Sequence, residues 1–408
     1  MVHPPLPNRV SGISSRSALA GSVSDGLFIW LAATLAFVAS VLCFTPRYYC
    51  WEFSADLANV AEVSRAMYTR QQLVEPWALI HHPAHRVQEW RLLFPYLVYV
   101  LHLPRVVYYA FPFVGALCTT ALAVGIVLDR TRSRTLAAAT GGLMATSAWF
   151  FVSVGFLAYF DSWVLFFLML AVFRAGPWSL MACVALGSFI DERMLIALPM
   201  IWGLRRANFG PMRSDAKDDT IALILGALPY VVFRGGYILA YRETSVNDYL
   251  ANENFSTRSL LQMLSGAWHG LRTGWLPIVG LLLGPGLVAR GSLAVGLAIT
   301  LTASISVAGD YSRSAAMLSP AVLAGVIFLG KGQPKMIPRL AMAALALNLI
   351  IPAKHVFAIG HTFLRPVNEI EREADAFEES RRSNPKANIR VDILGSPTKP
   401  IHPVSGST

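Results

Sequence analysis

From Leu27 to Phe44 the chain runs for 18 residues without a charged side chain, and apolar runs of similar character recur as far as Ile359. At about 1.5 Å per residue, a helix of that length covers most of the ~30 Å hydrocarbon core of a bilayer. Lipid offers no partner to a backbone N–H or C=O, so runs of this length cross it as helices. Composition points the same way: 55% of residues are hydrophobic and 14% charged, with a mean hydropathy of +0.51, where a soluble domain carries about 25% charged residues. The predicted class is therefore an all-α, polytopic membrane protein with about 11–12 hydrophobic helical segments.

The net charge of +10 would suit a nucleic-acid partner if the cations formed one field. They fall instead in short groups between apolar runs: Arg130, Arg132 and Arg134; Arg205, Arg206, Arg213 and Lys217; Lys331, Lys335 and Arg339. That is how cytoplasmic loops are marked, so the basicity reports topology and no nucleic acid is expected. Of the four cysteines, Cys43, Cys118 and Cys183 lie in apolar runs and only Cys50 in a loop, which supports neither a disulfide framework nor a Cys-x-x-Cys metal site.

Residues 1–26 are Pro- and Ser-rich, with Arg9 and Arg16 ahead of the first acid, Asp25. They read as a disordered cytoplasmic tail, and Leu27 to Phe44 as a retained anchor. A transmembrane domain is expected over 27–360, and a polar helix at Val367 to Arg382 with a disordered tail over 361–408. The first extracytoplasmic loop, 45–91, carries Glu52, Asp56, Glu62, Glu89 and three histidines; Leu57, Val60, Ala61, Val63 and Met67 give it the spacing of an interfacial helix. His81, His82 and His85 could ligate metal, but Pro83 spoils a regular helical arrangement. A short outer segment, Leu92 to Leu103, should feed one crossing, Val106 to Leu128. Further runs follow at Leu136–Val152, Trp163–Phe173, Trp178–Ile190, Met194–Leu204, Ile221–Leu239, Leu276–Ala289, Leu293–Ala308, Ala315–Leu329 and Leu340–Ile359.

The charge rule alternates along these runs. Arg174, Arg205, Arg206, Arg290 and Lys331 to Arg339 fall inside, while Asp161, Asp191, Glu192, Tyr241 to Gly274 and Asp310 fall outside. Several runs are shorter than a perpendicular span, so their polar outer ends should recess into a cavity open to lipid. Gly325 to Lys331 imitates a phosphate-binding loop, but Gly332 replaces the required Ser or Thr.

What remains is a set of ionisable groups at membrane edges, where each costs free energy and calls for a reason. Asp56, Asp161 and Asp310 all sit where a helix would start, so capping competes with function at each. In Asp191-Glu192-Arg193 the competing reading is local ion pairing.

The order of these features resembles the GT-C superfamily of integral-membrane glycosyltransferases, which take sugar from a polyprenyl-phosphate donor. The resemblance rests on Asp56 in WEFSAD after the first span, Arg91-Leu-Leu-Phe-Pro95, Asp161 opening a later helix, Asp191-Glu192-Arg193 with Pro199, and Asp310-Tyr-Ser-Arg313 with Pro320. It spans roughly Leu27 to Leu329 as an order of features and not as a strict motif. It implies an inverting transfer at the extracytoplasmic face of a bacterial cytoplasmic (inner) membrane. Asp56 would be general base, and Arg91, Arg193 and Arg313 would bind phosphate, for which a planar guanidinium is suited. Asp161, Asp191, Glu192 and Asp310 join the substrate-binding set; Asp161 and Glu192 would orient the acceptor sugar or ligate a divalent cation, the sole cofactor implied. The Asp-Asp or Asp-x-Asp signature of some members is missing, which leaves the metal open. No large outer C-terminal domain follows, so a lipid-linked or polysaccharide acceptor is implied before a protein. Trp51, Tyr159 and Trp163 could stack on sugar, although interfacial anchoring is the commoner use of such aromatics. Two other classes stay open, a transporter or flippase and a non-catalytic membrane scaffold; a transporter would be expected to show repeats and mid-membrane charges, which the sequence lacks.

Overall fold

The computed structural model describes residues 15–44, 69, 71–77, 90–156, 159–207, 209–210, 215–241, 260–284, 287–307, 310–357 and 360–364. Asp56, Glu52, Glu62, Glu89, Trp51, Cys50, the interfacial helix, the three loop histidines and the helix expected over Val367 to Arg382 lie outside them.

The described chain is helical almost throughout. Helix α1 spans Ser15–Cys43, α2 Leu93–Val100, α3 Arg105–Thr131, α4 Arg134–Ala145, α5 Ala148–Gly155, α6 Asp161–Phe173, α7 Pro177–Ile190, α8 Arg193–Ile196 and α9 Leu198–Arg206. Then come α10 Ala216–Tyr241, α11 Leu260–Leu271, α12 Trp275–Leu282, α13 Leu287–Val307, α14 Tyr311–Ala316, α15 Ser319–Gly332 and α16 Ile337–Ile350, with a 3-10 turn at Arg272–Gly274 between α11 and α12. Among the described residues four stretches are long and apolar enough to cross a membrane, in α1, α3, α10 and the α14–α15 stretch Tyr311–Gly332, or five if α4 and α5, which meet at a 57° bend, form one span. Large apolar side chains exposed on α1 (Leu27, Leu31, Leu35) and α10 (Ile224, Leu228, Val232) suit contact with lipid.

The short segment and single long run expected before Asp129 are present as the helices α2 and α3, the second a candidate span by length and composition. Four runs that look continuous in the sequence are divided: Leu136–Val152 between α4 and α5, Met194–Leu204 between α8 and α9, Leu276–Ala289 between α12 and α13, and the region of Ala315–Leu329 between α14 and α15. The first helix begins at Ser15, earlier than the tail reading allows, because Ala18, Leu19 and Ala20 are good helix formers inside the Ser-rich stretch. Arg290, expected in a loop, lies within α13, and α11 occupies part of the expected outer loop Tyr241 to Gly274.

One departure from all-helical structure concerns the last run. Helix α16 stops at Ile350, and strands β1 (Ala353–Phe357) and β2 (Gly360–Leu364) form an antiparallel hairpin. Pro352 explains the stop: it pushes Ile351 out of the helical region, to φ −72° and ψ 129°, and offers no N–H to continue the helix.

Helix α3 is the spine. It packs against α1, α4, α6 and α15, and Gly115 makes the approach to α6 close enough that a Cβ there would stand 2.6 Å from Ser162 Oγ and Trp163 Nε1. Trp163 accordingly donates to Phe111 O at 2.7 Å and sits among Phe94 and Phe166, a packing role. The helices running alongside α3 give the molecule two ends. At one stand Tyr108, Phe160 and Phe94 with the starts of α6 and α14; at the other, Arg130, Phe173, Ala207 and Lys331.

Candidate functional site

The first end gathers most of the membrane-edge charges. Arg313, in the first turn of α14, sends Nε to Asp161 Oδ1 at 2.6 Å, Nη2 to Asp191 Oδ2 at 3.1 Å and Nη1 to Asp310 Oδ2 at 3.3 Å. Arg193 donates from Nη1 to Asp191 Oδ2 at 2.9 Å and from Nε to Ser314 Oγ at 3.0 Å. Arg91, just before α2, places Nη2 at 3.1 Å from the same Asp191 oxygen and donates to Glu192 Oε1 at 3.2 Å. Residues distant in sequence are thus drawn into one network. Asp56, the expected base, lies outside the described residues, so the network is complete only for Arg91, Asp161, Asp191, Glu192, Arg193, Asp310 and Arg313.

Local structure explains how each side chain arrives. Asp161 opens α6 and Asp310 precedes α14, the positions of caps, yet neither helix start has a side-chain cap hydrogen bond; each carboxylate instead gives one oxygen to Arg313. Asp191 does serve locally, accepting from the backbone N–H of Arg193 at 3.0 Å across the break between α7 and α8, while its other oxygen faces the arginines. Gly270 lets α11 come close to α14: a Cβ there would stand 2.6 Å from Ser312 O. That close approach seats the segment bearing Asp310 and Arg313.

Three cations crowd one carboxylate oxygen. Burial alone would raise the Asp191 carboxyl, but Arg193, Arg91 and Arg313 outweigh it and hold the group well below the usual carboxylate range. Burial would likewise lower Arg91, and Asp191 with Glu192 reverses that, so its guanidinium stays charged.

The network is not internally satisfied. Asp161 Oδ2 and Glu192 Oε2 are covered but accept no hydrogen bond, and Arg91 Nε donates none. A buried polar atom left this way costs about 1–3 kcal/mol and calls for an explanation. Spare acceptors and a spare donor within one network suit a ligand bearing both hydroxyls and an anionic group. Among the described residues no three His, Cys, Asp or Glu side chains are arranged to hold a metal ion.

Residues that sequence reasoning missed complete the surroundings. His355, on β1, lies with Nε2 3.1 Å from Asp310 Oδ1 and Nδ1 3.0 Å from Ser312 Oγ. Ser312 Oγ also accepts from Val356 N at 3.0 Å. Burial holds His355 below the ordinary imidazole value, against the pull of Asp310, which favours the neutral ring. Tyr159 stacks under Arg313, whose guanidinium carbon is 3.9 Å from the ring centroid, so its aromatic face is already occupied by a cation. Arg234 of α10 lies over Trp90 beside the same network. Pro352 ending the apolar run, with β-branched Val356 and aromatic Phe357 close behind it, is the available signal for a strand carrying His355.

A cavity of about 670 Å³ is found at the opposite end, lined by Arg130, Phe173, Phe328 and Lys331 among others. It is therefore not the cavity expected among the recessed outer ends. Comparisons with models of known protein families, with curated proteins and with solved structures returned no match.

Proposed function

We propose that this chain is a multi-pass membrane glycosyltransferase, moving a sugar from a polyprenyl-phosphate donor to a lipid-linked or polysaccharide acceptor at the extracytoplasmic face of a bacterial cytoplasmic membrane. The observation that carries the reading is the unsatisfied charged network: three arginines and four acids converge with one guanidinium N–H and two carboxylate oxygens, Asp161 Oδ2 and Glu192 Oε2, to spare. An oxygen offers two lone pairs, and three guanidiniums stand within 3.1 Å of Asp191 Oδ2. Arg91 holds Asp191 and Glu192 through Nη2 alone and its Nε donates to neither, so Nε is the donor this reading gives to a phosphate.

In the reaction the acceptor oxygen bonds the anomeric carbon as the bond to phosphate oxygen breaks. The phosphate leaves with the electron pair, and the acceptor's hydroxyl proton goes to a carboxylate. Arg91 and Arg313 would hold the leaving phosphate through charge-assisted hydrogen bonds. Asp161 and Glu192 would receive sugar hydroxyls on their open oxygens. Asp56 is the base the family resemblance nominates. Replacing it by Asn removes the proton acceptor but keeps capping ability, and loss of a general base typically slows a reaction by about 10²- to 10⁴-fold. The test is transfer from a labelled polyprenyl-phosphate sugar by protein in liposomes. Lost transfer with an unchanged melt in Asp56→Asn supports the assignment; wild-type transfer in that variant removes it.

A transporter or flippase is the second reading, favoured by helix breaks at 146–147, 197 and 317–318, since broken helices line many transport paths. Movement of a lipid-linked sugar across liposomes without any glycosidic product would select it.

A further inference from the structure

We propose that the cavity at the basic end, remote from the charged network, is a binding site for the headgroup of an anionic phospholipid, with an acyl chain along its apolar wall. The two cations lining it, Arg130 and Lys331, occupy the last turns of α3 and α15. Both belong to candidate membrane spans, so the cations stand at the depth where a span meets lipid headgroups. The other walls are Phe173, Ile327, Phe328 and Leu329. Ile327 lies a turn deeper on the helix that bears Lys331, which gives the cavity a charged mouth and an oily floor.

Arg130 differs from its neighbours in what it lacks. Arg134 pairs with Asp25 at 2.8 Å, Arg174 pairs with Asp129, and Arg205 is locked to Asp219 at 2.5 Å. Half-buried Arg130 has no carboxylate within 4 Å among the described residues; its Nη2 reaches only the carbonyls of Phe209 and Gly210, both at a long 3.4 Å. A half-buried guanidinium without a counter-ion, facing a cavity of several hundred cubic ångströms, suits an anion from outside the chain. The apolar floor makes a lipid a better occupant than a free ion, and basic pockets between membrane helices bind acidic headgroups for these reasons. The C-termini of α3 and α15 add partial negative charge at the mouth, so selectivity for an anion rests on the two side chains.

The test uses full-length protein stripped of lipid in detergent and titrated with phosphatidylglycerol or phosphatidylcholine, bound lipid being counted by native mass spectrometry. Wild type should retain phosphatidylglycerol in preference to phosphatidylcholine. Arg130→Gln with Lys331→Gln should weaken that retention by about tenfold or more, each surface cation being worth about 1 kcal/mol toward an acidic lipid. Lys335→Gln with Arg339→Gln removes the same charge from nearby positions that do not line the cavity and should retain the lipid as wild type does. Thermal melts establish that both variants are folded. Equal retention of the two lipids, equal weakening in both double variants, or no weakening in the first would each overturn the proposal. Displacement of the lipid by excess inorganic phosphate would identify a free-anion site and overturn it as well.

Discussion

Two buried arginines, Arg205 and Arg313, sit at opposite ends of the bundle and are treated in opposite ways. Arg205 gives Nε and Nη2 to the two oxygens of Asp219 at 2.9 and 2.5 Å, and Nη1 to the carbonyls of Ala171 and Ala175 at 2.6 and 2.9 Å. The pair closes on itself: both carboxylate oxygens are used and each guanidinium nitrogen has a partner. Arg313 is buried as deeply, but its three acidic partners belong to a network with open carboxylate oxygens. The closed pair fixes α9 to α10 and to the end of α6, whereas the network around Arg313 leaves carboxylate oxygens unpaired. Burial of a charge alone therefore does not distinguish the two; completeness of hydrogen bonding does, and the proposed function uses that difference.

That contrast can be broken most sharply at Arg205. Removing one partner of a buried pair typically costs about 3–5 kcal/mol, because the other charge is left uncompensated. Asp219→Ala should therefore lower the unfolding midpoint in detergent by more than loss of any single side chain of the open network, with transfer falling only as folded protein is lost. Asp219→Ala with Arg205→Met should recover much of the loss.

Arg313→Lys should do the reverse. Lysine keeps the charge but lacks the planar fork, so it cannot reach Asp161, Asp191 and Asp310 together. Transfer should fall by about 10²- to 10³-fold, the range seen when one preorganised donor is removed from a reacting oxyanion, while the melt shifts less than in Asp219→Ala. A melt that collapses as far as that of Asp219→Ala, with activity per folded molecule intact, would make Arg313 another anchor.

His355 sharpens the picture at a smaller scale. His355→Gln can keep an N–H toward Asp310, and His355→Asn can keep a partner for Ser312. If the ring serves by orienting Asp310, the Gln variant retains more transfer, and the Asn variant loses about ten- to a hundredfold, the worth of one hydrogen bond to a charged group. The opposite ranking would make His355 an anchor for the hairpin. Glu192→Gln should have the least effect, since the side chain is one-third exposed and keeps an acceptor for Arg91; transfer should drop less than about tenfold, with little change in melting.

The charged network is more legible in the sequence than its surroundings are. Arg91, Asp161, Asp191, Glu192, Arg193, Asp310 and Arg313 stand out because an ionisable group beside an apolar run is costly wherever the helix lies, and that cost can be read without a fold. Arg205 looks like one of several loop cations, since its burial depends on Asp219 arriving from the start of α10. His355 is hidden because the run from Leu340 to Ile359 has the composition of a helix, and only the effect of Pro352 on Ile351 betrays its end. The breaks between α4 and α5 and between α14 and α15 are illegible for a related reason. Their polar groups are satisfied by tertiary contacts, such as Asn348 Nδ2 donating to Thr146 Oγ1 at 2.9 Å, which no local pattern announces.

The central claim is that the open network is where a lipid-linked phosphate is handled. Cryo-electron microscopy of the full chain in lipid nanodiscs with a short polyprenyl phosphate tests it most directly. The expected density places the phosphate within hydrogen-bonding distance of Arg91 and Arg313, with the Arg91 contact to Asp191 lengthened and the Arg205–Asp219 pair unmoved. A phosphate bound at the basic end beside Arg130, with the network around Asp191 unchanged from its ligand-free arrangement, would contradict the claim.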